Sequence, residues 1–395
     1  MNVTIVGQGY VGLPLAIAAS QAGYLVFGLD HNAGKVALLN SGKSIIEDLT
    51  DDVIKKSIDS KLFLPTTDQS VISRSEVVLI CVPTPLSDDH KPDLALLICA
   101  ITMVGKNLKS GTLVILESTI EPGTCRNIAL PILLEESGLK MDEIEVAYSP
   151  ERIDPANKRW GIRNTPKLVA GLTENSTKTA LAFYEKFVDS ITICSSVEIA
   201  ETAKLLENSF RFINISFVNE LAMFCEKIKI DVNEVISTAA TKPYGYMPFY
   251  PSIGVGGHCI PVDPLYLANS TKTVGIPSRF IDLADQINQE MPGYFVRRAE
   301  AKINGLKNKK VLVVGVSYKP NVADVRESPV ESLISSLKQK GAQVSWHDDL
   351  VKEWKGEKSV ALSSLFDLAI IATPHDYLDL SKLGNVPILN TRGSI

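Results

Sequence analysis

The first thirty residues leave the chain little choice of fold. Residues 3–6 (VTIV) form a short β-branched run, GQGYVG follows at 7–12, residues 13–22 space their apolar side chains helically, and a second apolar run, 24–29, ends at Asp30. A strand entering a glycine turn, a helix leaving it and an acid closing the next strand open a βαβ unit whose turn cradles a dinucleotide. Gly7 permits the tight turn, Gly9 lets backbone approach a pyrophosphate, and Gly12 lets helix and strand pack closely. Tyr10 and Val11 complete the turn, and the helix N terminus offers N–H donors and partial positive charge to phosphate. Asp30 is placed to accept from ribose hydroxyls and to repel a 2′-phosphate, which favours NAD over NADP. Glycines that serve packing alone are the other reading of the same unit.

The alternation continues down the chain. Residues 77–82, 112–117 and 145–148 are further β-branched runs, with amphipathic stretches such as 94–108 between them, and 167–171 and 190–194 extend the same layer. Strands alternating with helices build a parallel, doubly wound sheet. From Val197 to Lys229 no glycine or proline intervenes, and Leu205, Phe212, Ile215, Val218 and Leu221 recur at helical spacing. This predicts one long helix with Ser195 and Glu198 as a capping box; two shorter helices with a kink fit the same pattern. Residues 242–264, dense in Gly, Pro and aromatics, predict a long functional loop. A helix is expected at 278–302. A second α/β section follows, with strands at 310–316, 343–347 and 368–372 and a helix at 329–339. The expected architecture is α/β: two Rossmann-like doubly wound domains joined by a long central helix. The expected divisions are 1–195 for NAD binding, 196–302 for a helical dimerisation region carrying the loop, and 303–395 for the second α/β domain.

A chain of 395 residues, 45% of them hydrophobic, can fill more than one core. A net charge of −5, with no block of like charge, argues against nucleic acid or a membrane surface as partner. The longest apolar runs are far too short to span a bilayer, and the opening residues form a strand and a turn rather than a signal peptide. A cytoplasmic protein is expected, its six cysteines free. Cys81, Cys99, Cys125, Cys194 and Cys225 stand in apolar or helical surroundings and are expected as small buried hydrophobes. No CxxC pair occurs, and no metal site is expected.

Cys259 differs. In 254-GVGGHCIPVDP-264 it follows three glycines and a histidine. A thiol that receives a substrate carbon needs close approach, and Gly256 and Gly257 would leave that room; a buried cysteine in a tight turn fits the spacing equally. His258 or a nearby lysine would favour the thiolate, and Asp263 is near enough in sequence to serve the same pocket. Lys204 and Asn208 stand at i, i+4 on the long helix, where ammonium and amide together can hold a hydroxyl or a developing alkoxide; a solvated helix face has the same pattern. Thr84 in 83-PTP-85, Thr119 in 117-EST-119, and Glu151 and Arg152 in 149-SPER-152 follow predicted strands, where open α/β sheets hold their ligands. Turn chemistry or helix capping uses the same residue types.

GQGYVG, PTP, EST, SPER, ETAKLLEN, GVGGHCIPVDP and YKPNVADVRES occur in this order. Together they resemble the UDP-glucose/GDP-mannose dehydrogenase family from Met1 to about Arg392. Residues 241–264 most resemble its UDP-N-acetylglucosamine 6-dehydrogenase branch, which feeds bacterial surface polysaccharides. The resemblance implies an NAD domain, a central dimerising helix and a C-terminal domain gripping the nucleotide diphosphate. It implies a homodimer that oxidises the C6 alcohol of a UDP-sugar to the acid with two NAD per sugar. Cys259 would capture the aldehyde as a thiohemiacetal, Lys204 and Asn208 would hold the C6 oxygen, and Thr119 and Asp263 would position the base or water. Asp30, Lys35, Thr84 and Thr119 match NAD contacts, and Arg326 matches a residue reaching the NAD site. Glu151, with Arg152 beside it, matches the acid of the substrate loop. Lys319 and the segment with Tyr250, Pro251, Ser252 and Gly256 match contacts to the sugar nucleotide. Pro155 stands where UDP-glucose enzymes carry a second acid, and Val262 where a lysine is common. The arginine that a partner subunit contributes has no clear counterpart, Lys242 being the nearest substitute. These departures favour an N-acetylated sugar. A UDP-glucose or UDP-N-acetylmannosamine 6-dehydrogenase, a two-electron hydroxyacid dehydrogenase, which needs no Cys259, and a silent NAD-binding module are the alternatives.

Overall fold

A computed structural model describes residues 1–154, 157 and 159–392, so the expectation attached to Pro155 lies outside the described residues. The chain divides into two compact units, Met1–Leu206 and Glu207–Ile395.

The first unit contains β1 (Asn2–Val6), α1 (Gly12–Gln21), β2 (Leu25–Leu29), α2 (Ala33–Asn40), α3 (Asp51–Asp59), β3 (Phe63–Thr66), β4 (Val77–Ile80), α4 (Ala95–Asn107) and β5 (Leu113–Leu116). It continues with α5 (Leu130–Ser137), β6 (Glu145–Tyr148), β7 (Lys167–Gly171), α6 (Glu174–Tyr184) and β8 (Ile191–Ile193). These strands form one sheet in the order β3-β2-β1-β4-β5-β6-β7-β8. Strands β4 and β5 are apolar throughout because helices cover both faces. One core cluster around Ile5, Leu13, Leu79 and Phe183 lies on one face, and another around Val78, Ile101, Leu116 and Leu133 lies on the other. The all-parallel expectation needs one correction: β7 runs antiparallel to β6, with Tyr148 opposite Ala170. Strand β3 escaped the sequence pattern because Pro65 interrupts it; proline is tolerated there because β3 is an edge strand.

Helix α7 (Val197–Ile228) is a single helix that begins in the first unit and ends in the second. Its cap is displaced by one residue from expectation. Ser196 Oγ, not Ser195, accepts the Ile199 N–H at 3.4 Å, and Glu198 turns to the Arg126 Nε at 2.7 Å. A charged partner outside the helix thus replaces the reciprocal bond of a capping box.

The second unit packs the rest of α7 with α8 (Val232–Ala239), α9 (Asp263–Thr273) and α10 (Arg279–Lys302). It then forms β9 (Lys310–Val314), α11 (Val330–Gln339), β10 (Gln343–His347), the hairpin strands β11 (Glu353–Trp354) and β12 (Glu357–Lys358), β13 (Leu368–Ile371) and β14 (Ile388–Asn390). Its main sheet is parallel, in the order β10-β9-β13-β14. Among the described residues no helix is long and apolar enough to cross a membrane.

The turn after β9 repeats the turn after β1 bond for bond, although the sequences share little. Gly7 N donates to Leu29 O and Gly315 N to His347 O, both at 2.8 Å. Gln8 N donates to Asp30 Oδ2 and Val316 N to Asp348 Oδ2, both at 2.9 Å. Asn32 N and Leu350 N reach the second oxygens of the same two acids, again at 2.9 Å. Asp348 also accepts from Ser317 Oγ at 3.1 Å, Val351 N at 3.1 Å and His375 Nε2 at 3.0 Å. Burial works against its charge, but the bonds from His375 and the Val316 N–H hold its carboxyl far below the usual range.

Candidate active site

The dinucleotide turn shows why its three glycines differ. A Cβ on Gly7, whose φ is +90°, would lie 2.7 Å from Cys81 O; one on Gly12 would lie 1.9 Å from Gly7 O. Both glycines are demanded by the protein's own packing. A Cβ on Gly9 would meet nothing within 4 Å, so Gly9 faces open space where a ligand backbone or phosphate can come close. Helix α1 starts at this opening without a side-chain cap and without an acid in its first turn, which leaves its N–H groups to an anion. Tyr10 and Val11 lie on that rim, half-buried, and the Tyr10 hydroxyl donates to Glu47 Oε2 at 2.9 Å. Asp30 is 5% exposed, and each of its oxygens takes a single backbone N–H, leaving one acceptor direction apiece for ribose hydroxyls. These residues fit NAD. Lys35 is half-buried on α2, whose start is capped by Asn32 accepting from the Lys35 N–H at 3.1 Å. Sequence reasoning missed Gln8, whose fully buried side chain donates to Ile5 O at 2.8 Å and braces the turn from beneath.

At the carboxyl ends of β4, β5 and β6 stand Thr84, buried, Thr119, half-buried, and the 149–152 loop. Ser118 Oγ donates to Val82 O at 2.7 Å, joining the first two of these loops. Beneath them lies a charged cluster that pairs the acids of the EST and SPER motifs with Lys167, a partner the motifs do not announce. Glu117 is 1% exposed; Lys167 Nζ lies 2.7 Å from its Oε2, and the Tyr184 hydroxyl donates to its Oε1. Burial pushes the Glu117 carboxyl up to about 7 against the pull of Lys167, while the carboxylates around Lys167 keep its ammonium charged. Glu151 Oε2 is 4.0 Å from the same ammonium. Glu151 Oε1 accepts from Arg152 N at 2.6 Å and Ile153 N at 2.5 Å, and Arg152 Nη1 donates to Pro166 O at 2.6 Å.

On the first turns of α7, Glu201 is fully buried and accepts from Gly123 N at 2.6 Å and Cys125 N at 3.0 Å. This clasp ties the segment after Thr119 to the helix one turn before Lys204. Lys204 itself is 7% exposed, which removes the solvated-face alternative.

In the second unit Asn208 Nδ2 donates to Asp263 Oδ2 at 2.5 Å, joining α7 to the start of α9. Asp263 is 2% exposed, and its N–H donates to Cys259 O at 2.8 Å. Cys259 is exposed at the entry to α9. The structure therefore joins Asn208 to Asp263, with Cys259 one turn before Asp263 along the chain. Three expectations need correction. The space beside Gly256 and Gly257 is taken by the protein itself: added Cβ atoms would lie 2.6 Å from Glu327 O and 2.7 Å from the Tyr318 ring. These glycines dock the thiol loop onto the 318–328 loop. His258 cannot supply a cation to the thiol near neutrality, because burial and then the Arg326 guanidinium pull its pKa below the usual imidazole value. Cys99 is exposed and Cys194 half-buried, whereas Cys81, Cys125 and Cys225 are buried as expected.

Tyr250 is 53% exposed, Pro251 is buried, and Ser252 N donates to Asn219 Oδ1 at 2.8 Å. Lys319 is half-buried in the loop that Tyr318 N closes on Asp324 O at 3.0 Å. Arg326 is held by Asp324 through Nη2 at 2.6 Å and Nε at 3.0 Å, an orienting acid the motif reading passed over.

A dinucleotide turn on one sheet and, in a second unit, an exposed cysteine one turn from a buried aspartate are the parts of a pyridine-nucleotide oxidoreductase. Residues 1–188 match the UDP-glucose/GDP-mannose dehydrogenase family NAD binding domain, residues 198–290 its central domain and residues 312–389 its UDP binding domain. The chain is 32% identical to protein CapL of Staphylococcus aureus over 96% of this chain and 92% of that protein. It is 33% identical to the UDP-N-acetyl-D-glucosamine 6-dehydrogenase of Pseudomonas aeruginosa over 89% of this chain and 83% of that one. A solved UDP-D-ManNAc dehydrogenase from Pyrococcus horikoshii superposes with a TM-score of 0.90 at 30% identity, covering 99% of this chain and 95% of that one. The chain belongs to the UDP-glucose/GDP-mannose dehydrogenase family and is an NAD-dependent UDP-sugar dehydrogenase.

Proposed function

We propose that the substrate is a UDP-N-acetylhexosamine, oxidised at C6 from alcohol to carboxylate for surface polysaccharide synthesis in the cytoplasm. The names of relatives support an N-acetylated sugar without deciding between the gluco and manno forms. NAD, when bound, would supply the hydride acceptor for both of two successive oxidations. In the first, Lys204 and Asn208 hold the C6 oxygen as its proton leaves, and the alcohol becomes an aldehyde. The Cys259 thiol adds to that carbonyl as a thiohemiacetal. Loss of a second hydride and a proton gives a thioester, and water, placed by Asp263 and Thr119, releases the carboxylate and regenerates the thiol. Asp30, Lys35, Thr84, Arg326 and the turn from Gly7 to Gly12 hold the coenzyme. Glu151, Arg152, Tyr250, Pro251, Ser252, Gly256 and Lys319 hold the sugar nucleotide. The working divisions are 1–195 for NAD, 196–302 for the helical and catalytic segment and 303–395 for the nucleotide.

The observation that carries this reading is the Asn208–Asp263 bond next to Cys259. The test is a panel of UDP-N-acetylglucosamine, UDP-N-acetylmannosamine and UDP-glucose with NADH production followed by its absorbance. Two NADH per sugar, with an N-acetylated sugar preferred, is the expected result; one NADH per sugar, or full turnover by Cys259→Ser, rejects it. Association as a homodimer is supported by α7, which exposes Ile199, Leu206, Phe210, Phe217, Phe224 and Ile228 at steps of seven or four. Sedimentation of Phe217→Glu as a monomer is the expected outcome.

A further inference from the structure

The buried cluster under the 149–152 loop has no part in the chemistry described above, yet it is built with care. Glu117 directly follows β5, Lys167 opens β7, and Tyr184 ends α6. They meet beneath a loop whose own acid, Glu151, faces the same ammonium. Lys167 Nζ also lies 3.4 Å from Pro150 O and 5.0 Å from the centre of the Tyr184 ring. One ammonium thus serves two carboxylates and a loop carbonyl with almost no water. Such an arrangement is expensive to bury, and apolar side chains of the same volume would stabilise the fold at least as well. Its specific effect is on the loop, because two of its contacts end on Pro150 and Glu151, and Arg152 ties the same loop to Pro166, the residue before Lys167.

We propose that Lys167 is a positioning residue for the substrate loop, with Glu117 holding its ammonium so that Glu151 and Arg152 stand where the sugar nucleotide needs them. This rests on the reading of Glu151 as a substrate-loop acid. An ionised Glu117 engages the ammonium at 2.7 Å and leaves Glu151 free to order the loop through the Arg152 and Ile153 N–H groups. A protonated Glu117 releases the ammonium toward Glu151 and pulls the loop out of place. The groups facing Glu117 are Lys167 on β7, the Tyr184 hydroxyl on α6, Glu151 in the loop and the Cys81 thiol after β4, which burial keeps protonated. Of these, Glu117 is the one that burial brings to about 7.

The test is steady-state kinetics of the full chain with UDP-N-acetylglucosamine and UDP-N-acetylmannosamine from pH 6 to 9, a window spanning that carboxyl. The wild type should show a sugar KM that rises below about pH 7, with the NAD KM flat. Glu117→Gln should raise the sugar KM about tenfold at high pH, abolish its pH dependence and spare the NAD KM. Lys167→Arg should stay close to wild type, and Lys167→Met should resemble Glu117→Gln or exceed it, with the folded fraction checked by melting. A Glu117→Gln enzyme with wild-type sugar KM and unchanged pH profile overturns the proposal, as does an equal rise in the NAD KM. A wild type that reduces NAD with no sugar nucleotide overturns the functional reading and this proposal together.

Discussion

Glu201 offers the sharpest test of how the site is held. Its carboxylate is the acceptor for two backbone N–H groups, Gly123 at 2.6 Å and Cys125 at 3.0 Å, and it has no solvent exposure. Each carboxylate–amide bond contributes about 1.5–3 kcal/mol, so two amount to roughly 3–6 kcal/mol. Burial, which pushes the Glu201 carboxyl up, offsets part of that gain. Glu201→Ala strands two buried donors and should cost about 2–4 kcal/mol. In a unit of this size that is a fall in Tm of roughly 5–12 °C by scanning calorimetry. Glu201→Gln keeps one carbonyl acceptor and should lose about half as much. Both variants should also lower kcat, because the clasp sets the stretch of α7 that carries Lys204 one turn on. A Tm for Glu201→Ala within about 2 °C of wild type would refute the argument that these two bonds anchor the helix.

Lys204→Ala should lower kcat by at least about a hundredfold with little change in sugar KM, because its interaction strengthens as charge grows on oxygen; an effect confined to KM contradicts that role. Asp30→Ala should weaken NAD binding, measured by fluorescence titration, more than NADP binding, and equal losses count against Asp30 as the ribose ligand. Glu117 binds its proton more tightly in the fold, at about 7, than the ordinary glutamate value of 4.5. Its contribution to stability is therefore fully present below 4.5 and is lost as pH rises through 7. Denaturant melts should show Glu117→Gln flattening that decline, by up to roughly 3 kcal/mol across the window.

The parts of this molecule that local chemistry specifies were legible in the sequence. The run 3–6, the turn at Gly7, Gly9 and Gly12 and the acid at Asp30 fall where the strand–turn–helix logic puts them. The long helix and the strands at 145–148, 167–171 and 343–347 were also readable, because their periods are unbroken. Strand direction was not, since a period of two is the same for parallel and antiparallel neighbours, and β7 reversed unannounced. The cap moved from Ser195 to Ser196 because Glu198 had a better partner in Arg126, 72 residues away in sequence. Long-range pairing also hid the Glu117–Lys167 cluster, whose members are 50 residues apart. A lysine opening a buried strand was the one local hint. Gly256 and Gly257 make room for Glu327 and Tyr318 rather than for a substrate carbon, and the sequence does not say what a glycine's empty space is for.

The saturated carboxylate of Asp348 has a consequence for turnover. Its counterpart in the first unit keeps acceptor directions to spare, but Asp348 spends all of its own on Val316, Ser317, Leu350, Val351 and His375. The second unit has the scaffold of a coenzyme turn without the vacancy a ribose would fill, so NAD should titrate to a single equivalent per polypeptide. On the two-oxidation course proposed above, both hydrides would leave through one berth in succession, spent coenzyme departing and fresh coenzyme arriving while the sugar is half oxidised. A covalent bond to sulfur is what would keep that aldehyde from drifting away during the exchange.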